Sequence, residues 1–281
     1  MISYEKDDNG KRPFENPIPR KRFGQHFLTD KNLIRKIVAT ASVAPGDRVL
    51  EIGPGRGALT EGLIEAGAGV TAIEIDRDLA RLLKERFPED SLKVIEADAL
   101  KAPYSELSRA AGRKFKLVSN LPYNISGPLL ALLLKEREAF TVMVLMFQKE
   151  VAERIAARPG TKSYGVLSVL SQAYTEVKIE FHVSRNLFTP RPKVDSSVVS
   201  LRVLDRPRAE IEDEAFFKKV VRSAFGTRRK TLLNSLKTLG FGKDGLLSAL
   251  REAGVDPGRR GETLGLSEFA ALTKALSKLT G

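Results

Sequence analysis

The chain has 281 residues, 42% of them hydrophobic, which is enough to bury the core of one large domain and a smaller one. It contains no cysteine, which excludes disulfides, thiolate-held metals and cysteine nucleophiles, and its two histidines, His26 and His182, are too few and too far apart for a metal cluster, so no metal is expected. A formal net charge of +12 favours a polyanionic partner, nucleic acid being the usual one.

Residues 1–19 mix Glu5, Asp7, Asp8 and Glu15 with lysines. They read as a flexible polar tail, neither a signal peptide nor an acid-poor transit peptide. No apolar run reaches the length of a membrane span, and a cytoplasmic monomer with no membrane partner is expected. A helix is predicted over 31–40, with Asp30 as its cap and Leu33, Ile34, Ile37 and Val38 as its apolar stripe.

From Asp47 to about Leu204, short β-branched runs alternate with helical patterns, the signature of an α/β fold with a doubly wound, mainly parallel sheet covered on both faces. Seven strands are predicted, at 48–52, 70–74, 92–95, 115–119, 141–147, 176–181 and 197–203. The last two lack a helix-length connection, because 185–195 carries two prolines, so they are expected to pair antiparallel at the sheet edge.

The first of these strands runs into Gly53-Pro54-Gly55-Arg56-Gly57-Ala58, a loop in which glycines permit a sharp turn and close approach of a ligand. Gly53, Gly55 and Ala58 nominally satisfy the dinucleotide fingerprint, so a nicotinamide enzyme must be weighed. Glu74 ends the second strand, where an acid can accept two hydrogen bonds from ribose hydroxyls, and Asp98 adds an acceptor after the third that suits an adenine amine. Taken singly, Glu51 and Glu74 could be solvated strand-end acids, and Asp98 could cap a helix starting at Ala99. Together they stand at the carboxyl ends of successive parallel strands, where open α/β sheets bind ligands in one crevice.

Asn120-Leu121-Pro122-Tyr123 closes the fourth strand. The exocyclic amine of adenine is a poor nucleophile, its lone pair being delocalised into the ring. A site that methylates it needs acceptors for its protons, and an Asn side-chain oxygen with a neighbouring backbone carbonyl would supply them. Tyr123 would stack on the base, while Pro122 stiffens the turn and has no N–H of its own. The same run would also serve as a plain strand-ending turn.

After Val203 the pattern lapses into a linker at 204–210. Helices are then predicted at 215–225, 229–239, 243–253 and 267–279, forming a small all-helical domain. The expected division is a tail at 1–19, a ligand-binding catalytic domain at 20–205 and a helical RNA-binding domain at 206–281. Arg20, Lys21 and Arg22 before the sheet, and Arg222, Arg228, Arg229 and Lys230 in the helical part, are candidate phosphate contacts; the alternative is an ordinary solvated helix face.

With these residues assembled, the chain resembles the class I S-adenosylmethionine-dependent methyltransferases, specifically the ribosomal RNA adenine N6-dimethyltransferases. Phe23-Gly24-Gln25-His26-Phe27-Leu28 is similar to the family's cofactor-covering motif, 188–196 to its target-loop motif, and 225–236 to the basic helix of its C-terminal domain. The last points to the small-subunit branch rather than to the macrolide-resistance methylases. The resemblance implies a Rossmann-like fold, S-adenosylmethionine as methyl donor, and small-subunit ribosomal RNA in a partly assembled subunit as substrate, with two methyls added to each of two adjacent adenosines. It also implies that Gln25, His26 and Leu28 close over the cofactor, Gly53 faces its methionine part, Glu74 holds the ribose, Asp98 reads the adenine, and Asn120 bridges cofactor and target. The target base is expected between Tyr123 and Phe188. The family often has Asn where this chain has His26; a general-base role for His26 is disfavoured, and His182 is read as structural. A DNA adenine methylase would share the tetrapeptide, and an assembly or transcription factor would bind nucleic acid without needing it.

Overall fold

The computed structural model describes residues 25–227 and 229–279. It opens with a two-residue strand, β1 (Phe27–Leu28), and a helix, α1 (Lys31–Thr40). Asp30 starts that helix by accepting a hydrogen bond from the Leu33 amide at 2.7 Å, and Leu33, Ile34, Ile37 and Val38 form its buried stripe, as the sequence spacing requires. Strands and helices then alternate: β2 (Arg48–Ile52), α2 (Ala58–Glu65), β3 (Gly69–Glu74), α3 (Arg77–Arg86), β4 (Leu92–Glu96), α4 (Tyr104–Ala110), β5 (Phe115–Asn120), α5 (Ser126–Lys135) and β6 (Phe140–Gln148). Two helices, α6 (Lys149–Ile155) and α7 (Val166–Tyr174), lead into β7 (Thr175–Val183), the short β8 (Phe188–Thr189) and β9 (Ser196–Val203).

Seven of the strands make one sheet in the order β4-β3-β2-β5-β6-β9-β7. The first five in that order are mutually parallel, and β9 runs against both of its neighbours, β6 and β7, which puts the predicted antiparallel pair at the edge. The chain winds outward from β2 to β4 on one side and from β5 on the other. The switch in strand order therefore opens a crevice beyond the carboxyl ends of β2 and β5. Alternation along β2 sends Leu50 and Ile52 into one apolar layer and Val49 into the other, so both faces of the sheet are covered. The β1–β8 pair was not expected. It joins Phe27 to Thr189 and Leu28 to Phe188 in antiparallel register.

Four helices follow: α8 (Glu214–Phe225), α9 (Leu232–Leu236), α10 (Lys243–Glu252) and α11 (Leu266–Ser277). They share an apolar core with the α5 and α7 side of the sheet, through contacts such as Tyr164 edge-on to Phe225 at 5.8 Å between ring centroids. Arg137, whose side chain is only 13% exposed, pairs with Glu214 and lies 4.2 Å over the Tyr174 ring, pinning the end of α5 against the start of α8. The helix predicted over 229–239 is shorter than expected. Lys230 donates its amide to Thr227 in a turn, Thr231 is extended, and the Leu232 amide is taken by the Arg259 carbonyl at 2.6 Å, so regular helix begins only at Leu232. Among the described residues no helix is long and apolar enough to cross a membrane.

Candidate active site

The crevice at the switch point is a cavity of about 240 Å³, lined by five stretches that the fold brings together: 25–28, 51–56, 73–75, 97–100 and 120–125. Its floor is the loop after β2, where Gly53 and Gly55 adopt φ of +65° and +59°. At Gly55 a Cβ would stand 2.9 Å from the Phe27 ring, so the glycine is needed both for the left-handed backbone and for the segment that closes over the loop. Arg56 lies over the other part of that ring at 4.6 Å from its centroid.

Two carboxyls occupy one wall, and neither is the solvated strand-end acid that the sequence alone allowed. Glu51 is 2% exposed and accepts a 2.6 Å hydrogen bond from the Thr60 hydroxyl. Burial pushes its carboxyl up to about 8; the Thr60 hydroxyl works against this, and the charge of neighbouring Glu74 adds to it. Glu74, 5% exposed, accepts from the amides of Asp76 at 2.9 Å and Gly55 at 3.4 Å. Burial still raises its carboxyl above the usual range despite those amides. A cation entering this wall would favour the ionised form of both groups. Asp98 caps a turn, accepting from the Leu100 amide at 2.9 Å; the next helix starts only at Tyr104, so the alternative of a helix beginning at Ala99 does not hold.

At the opposite wall Asn120 ends β5. Its Nδ2 donates to the His26 carbonyl at 3.1 Å, and because a carbonyl can only accept, this contact fixes which end of the amide is which. Oδ1 is thereby left buried and with no hydrogen-bond partner among the described residues. A buried acceptor without a donor is costly, of order 1–3 kcal/mol, unless a ligand supplies the proton. Tyr123 stands beside it, its hydroxyl 2.6 Å from Ser196 Oγ and its ring tilted 30° to the His26 ring at 5.4 Å. The His26 Nδ1 lies 2.7 Å from the Pro190 carbonyl.

Every residue expected at the cofactor or in the tetrapeptide lines this cavity: Gln25, His26, Leu28, Gly53, Gly55, Glu74, Asp98, Asn120, Leu121, Pro122 and Tyr123. Phe188 does not. It is 3% exposed, paired to Leu28 through β8, and off the cavity wall, so the expected Tyr123–Phe188 sandwich is not formed here. Arg222 is exposed on α8, and Arg229 and Lys230 are exposed on the turn before α9 rather than on a helix. Arg20, Lys21, Arg22 and Arg228, like the tail at 1–19, lie outside the described residues. His182 does not line the crevice; it lies in strand β7, bonded to Ser197 opposite it at 2.9 Å. Among the described residues no His, Cys, Asp or Glu group is arranged to hold a metal.

Sequence reasoning missed Thr60, Ser196 and Ile75. Ile75 is 49% exposed on the cavity rim, and a large apolar residue directly after a strand-end acid was a usable signal for a flat ligand. Thr60 and Ser196 act through contacts 9 and 73 residues away in sequence, which no local pattern encodes.

Residues 18–278 match the family model described as ribosomal RNA adenine dimethylase. The chain is similar to a protein from Moorella thermoacetica named ribosomal RNA small subunit methyltransferase A, 49% identical over 267 residues and covering 92% of this chain and 93% of that one. A protein of the same name from Syntrophotalea carbinolica is 48% identical over 93% of this chain and 98% of its own length. Among solved structures, a dimethyladenosine transferase from Plasmodium falciparum matches with a TM-score of 0.72 at 30% identity, over 90% of this chain and 98% of that one. The 23S rRNA methyltransferase ErmE matches with a TM-score of 0.65 at 29% identity, over 89% and 99%.

Proposed function

Because this chain belongs to the ribosomal RNA adenine dimethylase family, we propose that it dimethylates the N6 amines of two adjacent adenosines in small-subunit ribosomal RNA, acting on a late assembly intermediate with S-adenosylmethionine as donor. Membership removes the nicotinamide reading of the glycine loop and the DNA reading of the tetrapeptide. The single observation that supports the chemistry best is the buried, unpartnered Oδ1 of Asn120.

The residues of the crevice fit the donor. Glu51 and Glu74 form a carboxyl wall suited to a cationic ligand, and the loop at Gly53 and Gly55 admits close approach of backbone. When bound, S-adenosylmethionine supplies an electrophilic methyl group on a sulfonium. Glu74 would hold the ribose hydroxyls, Asp98 would accept from the donor's adenine amine, and Gln25, His26 and Leu28 would cover the site. Asn120 Oδ1 and the Leu121 carbonyl would accept the protons of the target amine and hold its nitrogen in line with the methyl; positioning supplies most of the acceleration. No base is needed first, since a sulfonium methyl is transferred to the neutral amine and the proton leaves afterwards to solvent.

The target adenine, stacked in folded RNA, must be extruded into the crevice, where Tyr123 would stack on it and contribute about 1–3 kcal/mol. Phe188 can join that stack only if the β1–β8 pair opens. Arg222, Arg229 and Lys230, together with Arg20, Lys21, Arg22 and Arg228, would contact phosphates and set the position of the helical region on the RNA without reading sequence. Replacing Asn120 by Ala is expected to lower kcat by about 10²–10³, the usual cost of deleting one preorganised polar contact at a reacting centre. Binding of S-adenosylhomocysteine, measured by calorimetry, should weaken far less. Equal loss of both would remove Asn120 from the reacting centre.

A further inference from the structure

Three parts of the molecule meet at His26. Its carbonyl takes the amide of Asn120 at the end of β5, its ring lies against Tyr123, and its Nδ1 reaches the Pro190 carbonyl in the target loop, 164 residues away. The register explains the last contact. In the β1–β8 ladder Leu28 faces Phe188 and Phe27 faces Thr189, and His26 and Pro190 are the residues just beyond its end. Proline has no N–H to offer the His26 carbonyl, and Asn120 Nδ2 takes that carbonyl instead. The imidazole takes up the Pro190 carbonyl at 2.7 Å, which requires the proton on Nδ1 because a carbonyl only accepts. A side chain thus joins the two segments just beyond the end of their ladder.

The same stretch lines the cavity over the glycine loop, with the Phe27 ring filling the space that the missing Cβ of Gly55 leaves. The segment lining the cavity and the 188–193 loop are therefore parts of one bonded unit. Whatever orders 188–193 also orders 25–28, and in doing so fixes the carbonyl that orients Asn120.

We propose that His26 is a positioning residue that ties the cofactor-covering segment to the target loop, so that RNA on the loop tightens the hold on the cofactor and the cofactor tightens the hold on RNA. The inference rests on the substrate reading above for the identity of the two ligands. The tie itself does not depend on it. Coupling between two sites is reciprocal and commonly amounts to a factor of about five or more.

Hydrogen exchange on the ligand-free protein tests the tie. His26→Ala should raise exchange at the Phe27 and Thr189 amides together, the pair that bonds across the ladder because Pro190 cannot donate, and His26→Asn, which restores a side-chain donor, should return both towards the wild-type level. Loosening of one segment without the other, or of neither, overturns the tie. Binding of S-adenosylhomocysteine to the free protein and to its complex with small ribosomal subunits lacking adenine methylation tests the coupling. The wild type should bind about fivefold or more tighter in the complex. In His26→Ala that ratio should fall towards one, with recovery in His26→Asn. A ratio preserved in His26→Ala, or a wild-type ratio of one in a complex that does form, overturns the coupling. Failure of the wild type to bind subunits at all would instead strike the substrate reading and the coupling with it, while the exchange result still decides the tie.

Discussion

Replacing Glu51 by Gln should make the ligand-free protein more stable, by an amount that grows with pH. The Glu51 carboxyl is buried at 2% exposure and pushed up to about 8, whereas a glutamate in an unfolded chain titrates near about 4.3. Between those values the folded state holds a proton that the unfolded state has released. The stabilisation is complete below the unfolded value and is lost as pH rises through the folded one, at up to about 1.4 kcal/mol per pH unit. The full loss across the window is on the order of 3–5 kcal/mol. Glutamine keeps the shape and can still accept from the Thr60 hydroxyl, but has no proton to lose. Urea unfolding of both proteins from pH 4.5 to 8.5 reads the group together with its repulsion from Glu74, because the other carboxyls titrate in both and cancel in the difference. The two should be equally stable near the acid end and diverge as pH rises, with the variant ahead at pH 8. Parallel curves would mean that Glu51 is ionised in the ligand-free fold, and the reasoning from burial would fail. Cofactor affinity should move the other way: a cationic donor favours the ionised carboxyl, so wild-type binding should strengthen from pH 6 to 8 and release protons, and Glu51→Gln should reduce both effects.

Gly55→Ala would place a Cβ 2.9 Å from the Phe27 ring in a left-handed backbone at φ +59°, a strain of about 1–3 kcal/mol. Urea unfolding should show that loss, and calorimetry should show weaker S-adenosylhomocysteine binding, because the covering segment must lift to make room. Neutralising Arg222, Arg229 and Lys230 together should weaken subunit binding and flatten its dependence on log salt by about 0.7–0.9 for each phosphate that they neutralise in the wild type. An unchanged salt slope would make them an ordinary solvated surface. Lys218 shares a face of α8 with Arg222 and is held below the usual lysine range by partial burial and by Arg222 and Lys135; Lys218→Gln should weaken subunit binding in the same salt titration, with less effect at high salt.

Much of this architecture could be read from local pattern. Runs such as 48–52 and 115–119 are largely buried on both faces because the strands are central in a parallel sheet, and the Asp30 cap and the stripe at Leu33, Ile34, Ile37 and Val38 follow from helix geometry alone. The crevice was legible for the same reason: Glu74 and Asn120 each end, and Asp98 follows, a recognisable strand. What escaped is what long-range partners decide. The β1–β8 pair is two residues long and shows no periodicity, yet it buries Phe188 away from the cavity. The helix expected from 229 is cut short by a carbonyl from Arg259, and the burial of Glu51 depends on helix α2 folding Thr60 back over it. Even the identity of the Asn120 acceptor depends on a carbonyl 94 residues away.

The most direct measurement is to incubate the protein with S-adenosylmethionine and small ribosomal subunits lacking adenine methylation, digest the RNA, and look for N6,N6-dimethyladenosine by mass spectrometry. Dimethyladenosine at two adjacent positions of the small-subunit RNA, absent when Asn120→Ala replaces the wild type, is the expected result. Methylation confined to large-subunit RNA would keep the chemistry and contradict the substrate, and no transfer to any RNA would contradict the proposed activity itself.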